Sequence, residues 1–299
     1  MTFRALPALA AALLFSSSAI AADLIIDQPM AVAPTSSSAY WGAVELGGLG
    51  IIYTNEDDDD GETVGLYGSF ALWGDMGGLI LGVDGYFDQL SLDDDSDDDV
   101  PAGVVVLGGH VGTNLSNAYL GGFAGVGWAP DSRIDAYNVG YLAGVEGAVS
   151  LDGGVTLFGQ LGYADIRINN DGNDEGFTGG FVEFGALFAL SDDLAVMAKA
   201  GFGYAPEDYT DDGDEDGSYA TIGTKLAYKL PVDFNLVLTA SYDYAYYHAI
   251  DDGDVADTHT VKVGLSIPFG GDATAASALN PLATPVTPFR SASYGDLLD

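Results

Sequence analysis

Thr210–Gly217 reads TDDGDEDG, and within it Asp212, Asp214, Asp216 and Gly217 follow the order D-x-D-x-D-G. Carboxylates at alternate positions ahead of a turn glycine open the loop of an EF-hand, where their oxygens converge on one calcium ion. Completing such a site takes a bidentate Glu at the twelfth position and a helix on either side. Counted from Asp212 the twelfth residue is Gly223, inside an alternating apolar segment, so a calcium-sensor loop is excluded. The pattern returns in degraded form at Glu56-x-Asp58-x-Asp60-Gly61 and at Asp171-x-Asn173-x-Glu175-Gly176. Asp58, Asp60, Asp171, Asn173, Asp212, Asp214 and Asp216 are therefore candidate oxygen ligands for loosely bound calcium or magnesium. A solvated, self-repelling acidic face accounts for the same residues without an ordered ion, and both readings stand.

Other chemistry is sparsely supplied. There are three histidines, and a hydrolytic site needs one placed beside a nucleophile or a carboxylate. His110 lies towards a short turn. His259 falls on an apolar row. His248 neighbours Asp251 and Asp252 in a segment so rich in Asp that proximity carries little. No catalytic residues and no cofactor are expected. The 45 acidic residues against 8 Lys and Arg, a formal charge of -37, exclude nucleic acid as a partner, since phosphate binding needs clustered bases. The chain has no cysteine, hence no disulfide and no thiolate metal site.

The elements that carry these residues are strands. From Tyr40 onward, segments of ten or more residues alternate apolar with small or polar residues, and glycine recurs in almost every one, which counts against helix. Twelve strands are expected: Tyr40–Tyr53, Glu62–Trp73, Gly78–Asp88, Ala102–Thr113, Ala118–Trp128, Tyr137–Val149, Val155–Ile166, Phe177–Ala189, Leu194–Tyr204, Ser218–Lys229, Asn235–Tyr247 and Thr258–Phe269. Their connections alternate between short ("GDMG", "NLSN", "LDGG", "LSDD", "PVDF") and long, and the long ones carry most of the acid. Even strand number, short turns on one side and long loops on the other are the arrangement of a transmembrane antiparallel up-and-down β-barrel, with periplasmic turns and acidic extracellular loops. A soluble sandwich has no reason to gather every long acidic connection on one side.

Sidedness within the strands agrees. In the last strand His259, Val261, Val263, Leu265, Ile267 and Phe269 form one row and Thr260, Lys262, Gly264 and Ser266 the other. A lysine facing lipid at mid-depth costs about 2–4 kcal/mol, so the charged rows are expected to face the lumen. These lumen-lining charges are Glu45, Asp84, Glu146, Glu183, Lys199, Lys225, Lys229, Asp243 and Lys262. Proposed neighbours are Glu183 with Lys199, Glu45 with Lys262 across the closure, and Lys225 with Asp243. Inward glycines such as Gly65, Gly82, Gly108, Gly125, Gly144, Gly201 and Gly223 suggest unfilled volume or relief of strand curvature. No arginine falls on a mid-strand lumen row.

The ends organise the rest. Arg4, the apolar run Ala5–Phe15 and the small-residue site before Asp23 read as a signal peptide over residues 1–21. Residues 22–39 are expected to be a periplasmic linker and 40–269 the barrel. Residues 270–299, rich in Pro and Ala, are expected to be a disordered periplasmic tail. The signal peptide, the Tyr- and Gly-rich alternating strands and the closing "VKVGLSIPF" (Val261–Phe269) resemble Gram-negative outer-membrane β-barrel proteins. The start of the mature chain, "AADLIIDQP", with "YWGAVELGG" after it, is similar to alphaproteobacterial porin-like surface proteins. The resemblance implies a location in the cell outer membrane and contact with lipid and lipopolysaccharide. It also implies recognition by the barrel-assembly machinery through Phe269.

The expected function is a passive porin-like diffusion channel preferring cations or small neutral solutes, because acidic loops concentrate cations at a mouth. The alternative is a structural or surface-interaction barrel whose lumen is closed by a Glu–Lys network.

Overall fold

A computed structural model describes residues 40–55, 60–91, 103–130, 137–170, 173–206, 216–249, 255–271 and 273–294. The expected signal peptide and linker, and most of the candidate cation ligands, lie outside these residues. Of the ligands only Asp60, Asn173 and Asp216 are reached, the first two at strand starts and Asp216 just before one. Asp216 accepts a hydrogen bond from the Tyr204 hydroxyl.

Twelve strands form a closed antiparallel barrel. They are β1 Tyr40–Asn55, β2 Asp60–Asp75, β3 Leu79–Ser91, β4 Gly103–Leu115, β5 Ala118–Pro130, β6 Tyr137–Leu151, β7 Val155–Asn170, β8 Asn173–Ser191, β9 Leu194–Ala205, β10 Gly217–Lys229, β11 Val237–Ala249 and β12 Val255–Phe269. Each strand pairs with its sequence neighbours, and β1 closes on β12 with Glu45 opposite Ser266 and Leu49 opposite Lys262. Closure leaves no unpaired sheet edge. The expected strands are reproduced, most of them running a few residues further into the long loops. The pattern marks where alternation of chemistry ends, whereas ladder hydrogen bonds continue into polar residues such as Asn169 and Asn170, which pair with Asp174 and Asn173.

The two rows separate as alternation requires. On β12, Val261, Val263, Leu265 and Ile267 are exposed on the outer face, while Thr258, Thr260 and Ser266 are buried inside. The same split holds on β2, where Val64, Leu66, Phe70 and Leu72 face out and Tyr67, Ala71 and Trp73 face in. None of the described helices is long and apolar enough to cross a membrane.

The tail departs from expectation. After Phe269 the chain reverses through Gly270 and Gly271, with φ of 65° and 59°, a left-handed backbone that glycine adopts without a Cβ clash. It then enters the barrel from the short-turn end. Ala275 N–H donates to Asp192 O in a short turn (2.8 Å), and Lys229 Nζ donates to Ala273 O (2.7 Å). A 3-10 turn, Ala276–Ala278, and Leu279 pack against Leu187, Ala195, Ala227 and Val237. Leu282 joins Trp73, Tyr119 and Phe158 further in. Helix α1, Thr287–Tyr294, follows. Its Pro288 sits in the first turn, where a missing N–H costs nothing. Phe289 of α1 is buried among Phe123, Leu142, Phe177, Phe181, Tyr219 and Tyr247 towards the long-loop end. A Pro- and Ala-rich composition reads as disorder because it lacks bulk. Here the strands supply the bulk, and the small side chains are what fit between them.

Candidate functional site

The lumen is layered. Apolar packing fills it at the long-loop end, and the tail packs it at the short-turn end. Between them lies a belt of charge, produced by inward residues of β1, β3, β6 and β8–β12 at similar depth.

Glu45 is the centre of one cluster. Lys225 Nζ donates to its Oε2 at 2.6 Å, and Tyr67 Oη (2.6 Å) and Thr239 Oγ1 (2.8 Å) donate to its Oε1. A buried carboxylate is tolerated only when paired and fully hydrogen-bonded, and Glu45, 3% exposed, meets that condition. The expected partner Lys262 is replaced by Lys225, two strands further round. The lysine arm spans the curved inner wall, a reach that register alone does not describe. The ion pair of Lys225 is with Glu45 rather than with Asp243, its expected neighbour.

Glu183 and Lys199 pair as expected, at 3.7 Å. Lys199 lies opposite Gly185 and Gly223 in the ladders, and Gly223 lies opposite Asp243 on its other side. A methyl group on Gly223 would collide with the Asp243 carboxylate, so the glycine makes room for that side chain. Lys262 Nζ stands over the ring of Tyr86, 4.8 Å from its centroid, and within 5.7 Å of that of Tyr67, positions that favour a cation over an aromatic face. Lys229 is at the short-turn rim, holding the tail.

The second cluster was not legible as such. His110 is not at the turn but buried in the wall, with Nδ1 3.0 Å from Glu146 Oε2 and Nε2 3.2 Å from Asp84 Oδ1. Glu146 also accepts from Tyr119 Oη (2.8 Å) and Gln160 Nε2 (3.1 Å). Thr284 of the tail donates both its backbone N–H and its hydroxyl to Asp84, each at 2.7 Å. Its Oγ1 is 3.3 Å from His110 Nε2, so hydroxyl, imidazole and carboxylate line up as in a nucleophile–base–acid triad. The chemistry differs. A carboxylate already faces each ring nitrogen, at 3.0 Å and 3.2 Å. The hydroxyl hydrogen is already given to Asp84. The cluster fastens the tail to the wall.

Further along the tail, Arg290 pairs with Asp88 and donates to Tyr86 Oη (3.1 Å). The tail thereby brings an arginine into the lumen. Three inward glycines form the seat. Methyl groups on Gly108 or Gly125 would strike Thr284, and one on Gly127 would lie 2.6 Å from the Phe289 ring. For Gly108 and Gly125 the sequence suggests unfilled volume or relief of strand curvature. It is space, and the tail fills it.

A cavity of about 220 Å³ remains beside the tail. Its wall holds four acids, Glu45, Asp84, Glu183 and Asp243, and four bases, Lys199, Lys225, Lys262 and Arg290. The tail forms one side of it through Asn280, Pro281, Ala283–Thr287 and Arg290. On the outer face His259 is where the alternation put it, accepting or donating one hydrogen bond with Tyr242 Oη at 2.7 Å. Among the described residues no group of three or more His, Asp or Glu is arranged to hold a metal ion.

No family model matches the chain, and no curated protein matches it. Similar solved structures include the translocator domain of the autotransporter NalP from Neisseria meningitidis, 15% identical with a TM-score of 0.49, over 88% of this chain and 97% of that one. The COG4313 outer membrane channel from Pseudomonas putida F1 is 11% identical with a TM-score of 0.49, over 81% and 100%. A deletion mutant of the TodX monoaromatic hydrocarbon channel is 9% identical with a TM-score of 0.45, over 78% and 90%. Two of the three are named as channels and one as a translocator domain, and at these scores the likeness carries no argument about this chain.

Proposed function

We propose that the protein is an outer-membrane barrel acting as a passive channel for small solutes, with cations favoured over anions. Two features support the membrane setting. Large apolar residues are exposed on the outer rows around the barrel, for example Leu66, Leu120, Leu161, Ile222 and Val263, and a belt of this extent needs an apolar surrounding. Charged side chains such as Glu45, Glu183, Lys199 and Lys225 border the inner cavity instead. The short-turn end is then periplasmic and the long-loop end extracellular.

The observation that carries the channel reading is the charged cavity beside the tail. A lumen meant only to be filled would be finished with apolar side chains, whereas this one keeps a polar, charge-balanced space at mid-depth. Equal numbers of acids and bases at the cavity give little preference of their own. The cation preference comes from the acidic loops, which raise the local cation concentration at the mouth. The same loops would hold calcium or magnesium weakly and bridge to lipopolysaccharide phosphates. Phe269, paired with Gly42 at the closing seam, would be the residue read by the assembly machinery.

In a planar bilayer the refolded protein is expected to give discrete conductance steps and a cation-selective reversal potential that calcium reduces. A closed structural barrel is the second reading, favoured by the aromatic layer of Phe123, Phe177, Phe181, Tyr219, Tyr247 and Phe289. Silence of a correctly folded barrel under all conditions would establish it instead.

A further inference from the structure

We infer that Ala273–Ser291 is the constriction of the channel, a segment that sets the width of the path and, through Arg290, its charge. The inference rests on the channel reading above. Four observations lead to it. The segment is anchored at successive depths: to Asp192 and Lys229 at the periplasmic rim, to Gln160 through Leu282 O, to Asp84 through Thr284, and to Asp88 through Arg290. Its seat is shaped for it, since Gly108, Gly125 and Gly127 leave the volume that Thr284 and Phe289 occupy. It forms one wall of the cavity, so whatever crosses the lumen at that depth passes between it and the facing strands. Finally, it changes the charge of that path. Strand residues alone present Glu45, Asp84, Glu183 and Asp243 against Lys199, Lys225 and Lys262, an excess of one negative charge. Arg290 adds one positive charge to that wall, and its loss would also leave the Asp88 carboxylate without its cation. The tail is a specificity element as well as an obstruction, and its removal should widen the path and make it more cation-selective.

The test compares three proteins in planar bilayers under a potassium chloride gradient: the full chain, full-length Arg290→Ala, and a chain stopped after Gly271. Folding of each is checked by heat-modifiable migration. Arg290→Ala keeps the segment's length and other anchors, so its conductance should stay within about twofold while its cation-to-anion permeability ratio rises about twofold or more. The stopped chain should conduct several-fold more than the full chain and be more cation-selective still. A silent full chain with a conducting stopped chain would also support the inference, as complete closure by the segment. If all three conduct with the same step size and reversal potential, the segment lies outside the path and the inference is overturned while the channel reading survives. If all three fold and none conducts, the channel reading itself fails and takes the constriction with it. Should the stopped chain not fold, the Arg290→Ala ratio decides alone, and an unchanged ratio overturns the charge role.

Discussion

Gly108→Ala should unseat the tail. The added methyl falls on Thr284 Oγ1 and against the Asp84 carboxylate, and these are the groups that fasten the segment at mid-depth. Making room means losing the two hydrogen bonds that Asp84 accepts from Thr284, both at 2.7 Å. Hydrogen bonds to a charged partner contribute about 1.5–3 kcal/mol each, so the seated state loses about 3 kcal/mol at the low end. At about 1.4 kcal/mol per tenfold, the unseated population rises by roughly 100-fold. The chain has no cysteine, so Ser291→Cys gives a single thiol at a buried tail position with little change in size. The rate of its labelling by a water-soluble maleimide in refolded protein reports how often the segment leaves its seat. Gly109→Ala is the internal control. It is the adjacent residue on the outer row, and a methyl there meets nothing within 4 Å. Gly108→Ala should speed labelling by tens-fold or more and Gly109→Ala should leave it unchanged. Equal rates in the parent and both variants would show that Thr284 and its glycine seat do not hold the segment.

Lys225→Met should cost about 3–5 kcal/mol in urea unfolding from lipid, because it strands the buried Glu45 carboxylate without its cation. Adding Glu45→Gln should recover a large part of that loss, and a double variant no more stable than the single would refute the pairing. Gly270→Val should release the tail without harming the barrel, since φ of 65° disfavours a branched residue and its Cβ would meet the Tyr40 carbonyl. Ser291→Cys labelling should rise there with heat-modifiable migration preserved. Val263→Arg, on the outer row of β12, should cost about 2–4 kcal/mol at mid-depth, whereas Ser241→Arg on the cavity wall should cost less. Similar losses for the two would contradict the assignment of inner and outer faces.

The strands and their two faces were legible because alternation is a local property: each residue's row is set by its immediate neighbours. That is why Lys199, Lys225, Lys229 and Lys262 could all be placed inside from the sequence. Partners across the lumen were not legible, because they depend on curvature and side-chain length as well as register. Glu45 therefore pairs with Lys225 rather than Lys262, and His110 lies between Asp84 and Glu146, which are 26 and 36 residues away in the chain. The tail was the largest departure. Its signal was divided between two places, small apolar residues after Phe269 and bare glycines on β4 and β5, and neither half is informative without the other.

The inserted segment also changes the barrel as a mechanical object. A hollow ring of hydrogen-bonded strands resists stretching around its circumference but ovalises easily, because flattening bends the sheet without breaking a ladder bond. Here the 3-10 turn touches β1 and β12 on one side and β8 and β9 on another, while α1 bears on β5, β7 and β8. Thr284 and Arg290 tie the same segment back to β3. The segment works as a set of spokes, fixing the cross-section from within. Drawing it out would leave a softer hoop.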